Sequence, residues 1–220
     1  MIPRLDLQGS WTHSVVAEGA IVRGAVFLRA GFHAEGGVLL TEAQIGGDLD
    51  CRGGTFNNPG RSALGASDTV FRGNVLLGPG FRAAGEVTLT GAQIGGNLEC
   101  DGAKLNNPGS YALYADGAVV KGSAFLRAGF HAEGEVRLPN AQIGGDLDCR
   151  AGTFNNKGGS ALVAQVASVK FGILLTGGFT AKGEVSLYGA RIEAVFICMG
   201  ANLKGATLVL SHASGGRYRG

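Results

Sequence analysis

Residues 31–36 spell Gly31-Phe32-His33-Ala34-Glu35-Gly36, and close variants of this stretch return after every 49 residues. A fixed period that is held over most of a chain is typical of a solenoid. The repeat therefore predicts the shape of the molecule before it predicts any chemistry. Phenylalanine and cysteine both keep the period: Phe32, Phe81, Phe130 and Phe179; Cys51, Cys100, Cys149 and Cys198.

Each repeat contains two similar coils, 23 and 26 residues long. Apolar residues alternate within a coil, as in Val136-x-Leu138 and Leu147-x-Cys149, which is the pattern of half-buried strands. The longer coil carries a polar segment with turn residues, such as Asn57-Asn58-Pro59-Gly60, which predicts a loop. We predict three short strands and a corner in each coil. No helix is expected, because no longer segment shows a 3.6-residue period with caps.

Short strands that repeat at coil length predict an all-β, right-handed parallel β-helix with about eight full coils. Its strands should stack ~4.8 Å apart, and parallel crossovers are almost always right-handed. The β-helix is expected to be one domain over residues 1–210, followed by a polar tail without register over residues 211–220. The large residues of the corner are expected to share one position in every coil and to form an internal stack: Phe32, Phe56, Phe81, Leu105, Phe130, Phe154, Phe179 and Leu203.

Two motifs resemble known repeats. Residues 201–205, Ala201-Asn202-Leu203-Lys204-Gly205, match the A(D/N)LxX unit of pentapeptide-repeat proteins. Residues 85–98 and 134–147 share Gly-Glu-Val-x-Leu-x-x-Ala-Gln-Ile-Gly-Gly-(Asp/Asn)-Leu, which looks like repeats in bacterial proteins labelled membrane-associated oxidoreductase. The resemblance covers nearly the whole chain and implies a β-helix that could serve as an accessory domain of such a protein. Coils longer than four pentapeptides predict a departure from a square cross-section.

Composition and charge narrow the class of protein. The 45% of hydrophobic residues and 16% of charged residues indicate a folded chain. The net charge of +2 gives no general attraction to nucleic acid or an anionic membrane. No apolar run reaches the ~20 residues of a membrane helix. The first residues show no signal peptide. We therefore expect no membrane span and a cytoplasmic location.

Cysteine and histidine do not predict a metal site. Adjacent cysteines lie two coils apart, ~9.6 Å, which is too far for a disulfide or for a shared ion. His33 and His131 lie four coils apart, and His13 and His212 lie near the two ends. We predict that the cysteines are small buried hydrophobic residues and that His33 and His131 are solvated corner residues. We expect neither a metal nor a cofactor.

Acidic residues recur beside the inward-facing leucines. Because neighbours in a strand point to opposite faces, these acids should point outward. Paired carboxylates can serve a sugar-cleaving enzyme. A catalytic pair usually occurs once, at an irregular position, whereas these pairs recur at the period of the repeat. We predict a solvated acidic stripe, no catalytic residue and no enzyme. The positions concerned are Asp48 and Asp50, Asn97 and Glu99, and Asp146 and Asp148.

In the alternate coils, the positions that correspond to Asp50 are large and apolar. A long apolar stripe on a rod suggests a protein partner, a lateral dimer or a covering segment. Covering by the longer loops is equally compatible with the sequence. The partner-binding residues that we predict are Phe27, Leu76, Phe125, Leu174, Ile197 and Tyr114.

A basic row repeats at the same period: Arg23, Arg72, Lys121 and Lys170. Its members should lie ~9.6 Å apart and could form an electrostatic track for an anionic polymer. Specific binding of nucleic acid is not expected, because acids recur beside the row and the net charge is small.

The features together predict a non-enzymatic structural scaffold or protein-interaction rod that binds itself or another protein. Lateral association would use the apolar stripe. End-to-end association would use the terminal coils, because a terminal coil leaves unpaired strand edges that invite stacking. An accessory domain of an oxidoreductase-like protein and the binding of an anionic polymer are the alternatives.

Overall fold

The computed structural model describes residues 1–219, with side chains through residue 215. The chain is an all-β parallel solenoid of about nine turns, as the repeat predicts. Residues 1–219 contain no helix that is long and apolar enough to cross a membrane.

Strands in the first half of the chain are mostly two residues long. They are β1 (Leu5–Asp6), β2 (Trp11–Thr12), β3 (Val15–Val16), β4 (Ile21–Val22), β5 (Val26–Phe27), β6 (His33–Ala34), β7 (Val38–Leu39), β8 (Gln44–Ile45), β9 (Leu49–Asp50), β10 (Thr55–Gly65), β11 (Val70–Phe71), β12 (Val75–Leu76), β13 (Arg82–Thr88) and β14 (Gln93–Ile94).

The second half repeats this series. It contains β15 (Leu98–Glu99), β16 (Lys104–Tyr114), β17 (Val119–Val120), β18 (Ala124–Phe125), β19 (His131–Arg137), β20 (Gln142–Ile143), β21 (Leu147–Asp148), β22 (Thr153–Val163), β23 (Ser168–Val169), β24 (Gly172–Leu174), β25 (Thr180–Ser186), β26 (Arg191–Ile197), β27 (Leu208–Val209) and β28 (Ser214–Arg219).

Two parallel sheets carry all these strands, one of 17 and one of 11 strands. The coils from β10 to β24 contribute three strands each, as predicted, whereas the coil that contains β6, β7, β8 and β9 contributes four. The prediction is wrong for the corner, which belongs to a strand. The corner becomes a strand because His33 pairs with Trp11 below and Thr55 above, which satisfies its backbone groups. The first sheet contains two ladders of stacked strands. We call the one that contains β8 the Gln44 ladder and the one that contains β9 the Asp50 ladder.

The alternating coil lengths are confirmed. Val26 pairs with Leu49, which pairs with Val75. The extra residues of the longer coil lie within β10, where the register shifts between Asn57 and Ser62. The polar segment expected as a loop is thus an irregular part of a long strand, held by a bond in which the Asn58 amide donates to the carbonyl oxygen of Ser62 over 2.8 Å.

The core contains the expected aromatic stack, but in a different register. Phe56 pairs with Ala34 on one side and with Ala83 on the other. Phe32 and Phe81 instead lie two positions earlier, so the large side chain alternates between two inward positions. Both sites point inward because side chains in a strand have a period of two. The ring centroids of Phe56 lie 5.3 Å from Phe32 and 5.0 Å from Phe81.

The segment that was expected to be a tail contains β28, which continues the first sheet. It pairs in parallel with β26, starting with Arg191 opposite Ser214. The prediction that register is lost after residue 210 is therefore wrong for Ser214–Arg219. Strand pairing uses backbone groups, so a polar composition is no obstacle to it.

Candidate functional site

The outer face of the Asp50 ladder carries buried carboxylates. Asp50 and Asp148 point away from the core, as predicted, but each is only 1% exposed. The prediction of a solvated acidic stripe is therefore wrong at these two positions. A charged group is buried at low cost only when it is paired and hydrogen-bonded, and both aspartates meet this condition.

Two arginines enclose Asp50. Arg52 donates from Nε to Oδ1 over 2.9 Å and from Nη2 to Oδ2 over 2.7 Å, and its backbone N–H also donates to Oδ1. From the preceding coil, Arg29 donates from Nη1 to Oδ2 over 2.8 Å. The Arg29 guanidinium carbon lies 4.6 Å from the centre of the Phe27 ring, a cation–π contact. We call this set the Asp50 cluster.

The same arrangement recurs 98 residues later around Asp148. Arg150 donates to both carboxylate oxygens, over 2.9 Å from Nε to Oδ1 and 2.6 Å from Nη2 to Oδ2. Arg127 donates to Oδ2 over 2.8 Å and lies 4.1 Å from the centre of the Phe125 ring. Sequence and geometry thus repeat together in the Asp148 cluster.

Both clusters hold their aspartates ionised. Burial by itself raises the pKa of Asp50, but the hydrogen bonds from Arg52 and Arg29 outweigh it and leave the pKa below its usual value. The pKa of Asp148 is lowered for the same reasons by Arg150 and Arg127. The carboxylates are therefore fixed acceptors and not proton donors at neutral pH.

The intervening repeat lacks this cluster. Glu99 replaces the aspartate, Asp101 replaces the arginine after it, and Leu76 replaces the phenylalanine. The Asp101 carboxylate instead accepts a bond of 3.1 Å from Nε of Arg127 in the following coil. Alternate repeats therefore differ in surface chemistry although they share one fold.

Side chains in the turn between the Gln44 ladder and the Asp50 ladder connect each coil to the next. The Asp48 carboxylate accepts a bond of 2.6 Å from the backbone N–H of Asn74, and the Asn74 amide oxygen accepts one of 2.8 Å from the N–H of Asn97. Ser123 and Asp146 continue this run, which ends where Asp146 accepts from the N–H of residue 172. Asp48 and Asp146 are therefore structural acceptors and not part of a solvated stripe.

The predicted partner-binding residues have different surroundings. Phe27 and Phe125 are half-buried beneath arginines, and Leu76 is buried. Arginine side chains, and not the longer loops, lie over the two phenylalanines. Tyr114 lies on the other sheet, where its ring stacks on Tyr111 at 4.7 Å. Leu174 and Ile197 are half-buried on the Asp50 ladder near the C-terminal end.

An apolar patch surrounds these last two residues. Phe171 and Met199 are 53% and 54% exposed, and Val195, a residue of β26 that pairs with Gly172, is half-buried. The patch is defined as Phe171, Leu174, Val195, Ile197 and Met199, and Met199 takes the place of the cluster arginine. In the next coil, the backbone of Arg217 pairs with Val195 and that of Arg219 with Ile197. Sequence alignment of the repeats could have revealed it, since Phe171 stands where the other repeats have glycine: Gly24, Gly73 and Gly122.

All four residues of the basic row are exposed. They lie along the Gln44 ladder, whereas Leu174 and Ile197 of the apolar patch lie along the Asp50 ladder. Three adjoining depressions follow the row along the rod. The residues of the basic row line these depressions: Arg23, Arg72, Lys121 and Lys170.

The cysteines are free. Cys51, Cys100 and Cys149 are buried, and burial raises the pKa of each thiol, whereas Cys198 is partly exposed. Within residues 1–219, no three or more His, Cys, Asp or Glu side chains form a group that could hold a metal. His33 is half-buried and contacts Glu35, so it is not simply solvated.

The fold places the chain in the class of parallel β-solenoids. Comparison with models of protein families, with curated proteins and with solved structures gives no match. The labels that the repeats suggest therefore remain resemblances.

Proposed function

We propose that the chain is a non-enzymatic structural scaffold, a rod that binds protein through the outer face of its first sheet. One observation carries the proposal: the polar chemistry of this face recurs after two repeats, in the Asp50 and Asp148 clusters. Catalysis needs one constellation that is unlike its neighbours and is arranged around a reacting atom. In the clusters, carboxylates and guanidinium groups are instead bound to one another.

The interior supports a role as a rod. One continuous apolar core runs from Val22 to Phe196. The hydrogen bonds of the turn side chains from Asp48 to Asp146 connect successive coils. Each coil contacts mainly its neighbours, so stability is distributed along the axis. Such a body presents a long surface at nearly fixed geometry, which suits a scaffold.

The apolar patch is the surface that we propose for protein contact. A second copy of the chain is the partner that its geometry favours. A twofold axis through the patch would place the same side chains opposite one another, and faces of parallel strands can pack closely when both are apolar. Phe171 and Met199 would lose their exposed area in such a dimer.

Multi-angle light scattering on the purified chain tests this function. We expect a dimer that becomes a monomer when Phe171 and Met199 are both changed to serine. The matched control changes two exposed valines elsewhere, Val16→Ser and Val166→Ser, and should remain a dimer. A monomeric wild type would refute self-association, and a monomeric control would show that the patch is not the specific contact.

A further inference from the structure

Three adjoining shallow depressions lie in a row along the Gln44 ladder, away from the arginine clusters, and we call this row the groove. Its three depressions share walls: Val70 and Arg72 line the first and the second, and Val119 and Lys121 line the second and the third. The groove therefore spans the coils from Arg23 to Lys170 as adjoining depressions, with the side chains of the basic coils between them.

The lining alternates from coil to coil. Coils with a basic residue carry an aliphatic side chain or serine two positions before it, whereas the intervening coils carry glutamine there and glycine at the basic position. These glycines cannot be replaced freely: a Cβ on Gly46 or Gly144 would strike the carbonyl oxygen of Arg23 or Lys121. At this position, therefore, the intervening coils place no side chain between successive cations. The exposed amides between them belong to Gln44, Gln93 and Gln142.

The cations of the groove are available to a ligand. Among residues 1–219, none of the four forms an ion pair within the protein. Among the side chains of residues 1–215, Arg23 alone of the four has a hydrogen-bond partner, the sulfur of Met1. Asp116 lies in the turn before β17. Its carboxylate accepts a bond of 3.0 Å from the side-chain amide of Asn140. Glu193 lies one coil after Lys170, at the position that is glycine in the earlier intervening coils, and it lines the third depression together with Lys170.

We propose that this groove binds a linear acidic polysaccharide along its length, with one carboxylate or sulfate at each cation. Successive cations lie two coils apart, ~9.6 Å. A polysaccharide with one anion per disaccharide presents its charges at the distance of two sugar rings, which is close to this spacing. The glutamine amides can donate to and accept from sugar hydroxyls, and Ile21, Val70 and Val119 can contact the apolar faces of the rings. This function is separate from the proposed self-association.

The lining favours a polysaccharide over nucleic acid. Proteins that bind single strands without sequence preference usually stack bases on aromatic side chains. The exposed side chains that line this groove, within the described part of the chain, are aliphatic, amide or charged. The phosphates of one DNA strand follow each other every ~3.4 Å along the axis, a spacing that the cations do not match.

Fluorescence anisotropy with labelled hyaluronan oligosaccharides at low salt tests the inference, because hyaluronan has one carboxylate per disaccharide. Affinity should rise from the tetrasaccharide to the octasaccharide, which can reach all four cations, and then level off. Arg72→Gln with Lys121→Gln should weaken octasaccharide binding by about tenfold. The same change should roughly halve the salt dependence, since two of the four cations are lost.

The matched control, Lys157→Gln with Lys182→Gln, removes two exposed cations from the other sheet and should bind like the wild type. Circular dichroism should show that both double variants are folded. The inference is overturned if no oligosaccharide binds, if both double variants bind alike, or if affinity does not depend on length. Tighter binding of labelled polyuridylate through the same two cations would also overturn it, in favour of nucleic acid.

Discussion

Gly54 lies so close to Phe56 that a Cβ on the glycine would be 2.8 Å from Cε2 of the ring. That Cβ would also lie 2.6 Å from the carbonyl oxygen of Leu28. The repeats obey the same relationship, with glycine two positions before phenylalanine and alanine two positions before leucine. The corresponding pairs are Gly152 with Phe154, Ala103 with Leu105, and Ala201 with Leu203. Each pair keeps the volume of the close-packed interior nearly constant.

Replacing Gly54 with alanine should therefore overpack the stack. We expect the free energy of unfolding in urea to fall by about 1–3 kcal/mol. Adding Phe56→Leu should restore part of this loss, because the chain already tolerates alanine with leucine at Ala103 and Leu105. A double variant that is no more stable than Gly54→Ala would contradict size compensation and would assign the strain to the backbone near Leu28.

Asp50→Asn should destabilise the fold although the residue lies on the outer face. The substitution removes the charge that two guanidinium groups share and weakens at least three hydrogen bonds. Charge-assisted bonds to a buried group contribute more than neutral ones, so we expect a loss of about 2 kcal/mol. Glu99→Gln, at the matched position of the repeat without a cluster, should change stability by less than about 0.5 kcal/mol. Equal losses in the two variants would show that the cluster has no special role.

Stability should decrease on the acid side because of the same carboxylates. The pKa values of Asp50 and Asp148 are lower in the folded state than the usual 3.8. Between the folded and unfolded values, the unfolded chain binds more protons, so this contribution is complete above about pH 4 and is lost as the pH falls through the folded pKa. Unfolding free energies measured across this range should show a shallower acid slope for Asp50→Asn with Asp148→Asn. An unchanged slope would assign the pH dependence to other acids.

The sequence predicted most of the fold because one period controls it. The pairing of Val38 with Leu64, and of Ile45 with Phe71, follows directly from the alternation of apolar residues and from the coil lengths. The position of Phe56 could not be predicted in this way, because two inward sites separated by two residues satisfy the same alternation. Steric fit between neighbouring coils selects between these sites, and fit depends on contacts that only the structure provides.

The surface was harder to predict for a related reason. Alternation gives the direction of the Asp50 side chain but not its burial, which depends on Arg29 from one coil and Arg52 from its own. The pattern of clustered aspartate and arginine has a period of two repeats, so an alignment of single repeats does not show it. The apolar patch could have been found from the break in the repeat at Phe171, whereas the arginine cover of Phe27 could not.

The thiols should report on this packing. Cys51, Cys100 and Cys149 are buried in the core, and burial raises the pKa of each, so little reactive thiolate can reach a reagent in the native state. Cys198 is partly exposed, and we expect it alone to react quickly with Ellman's reagent. Cys198→Ser should abolish the fast phase without changing the slow one, which should follow opening of the core. A remaining fast phase in that variant would mean that the coils around the buried cysteines separate more readily than one continuous core allows.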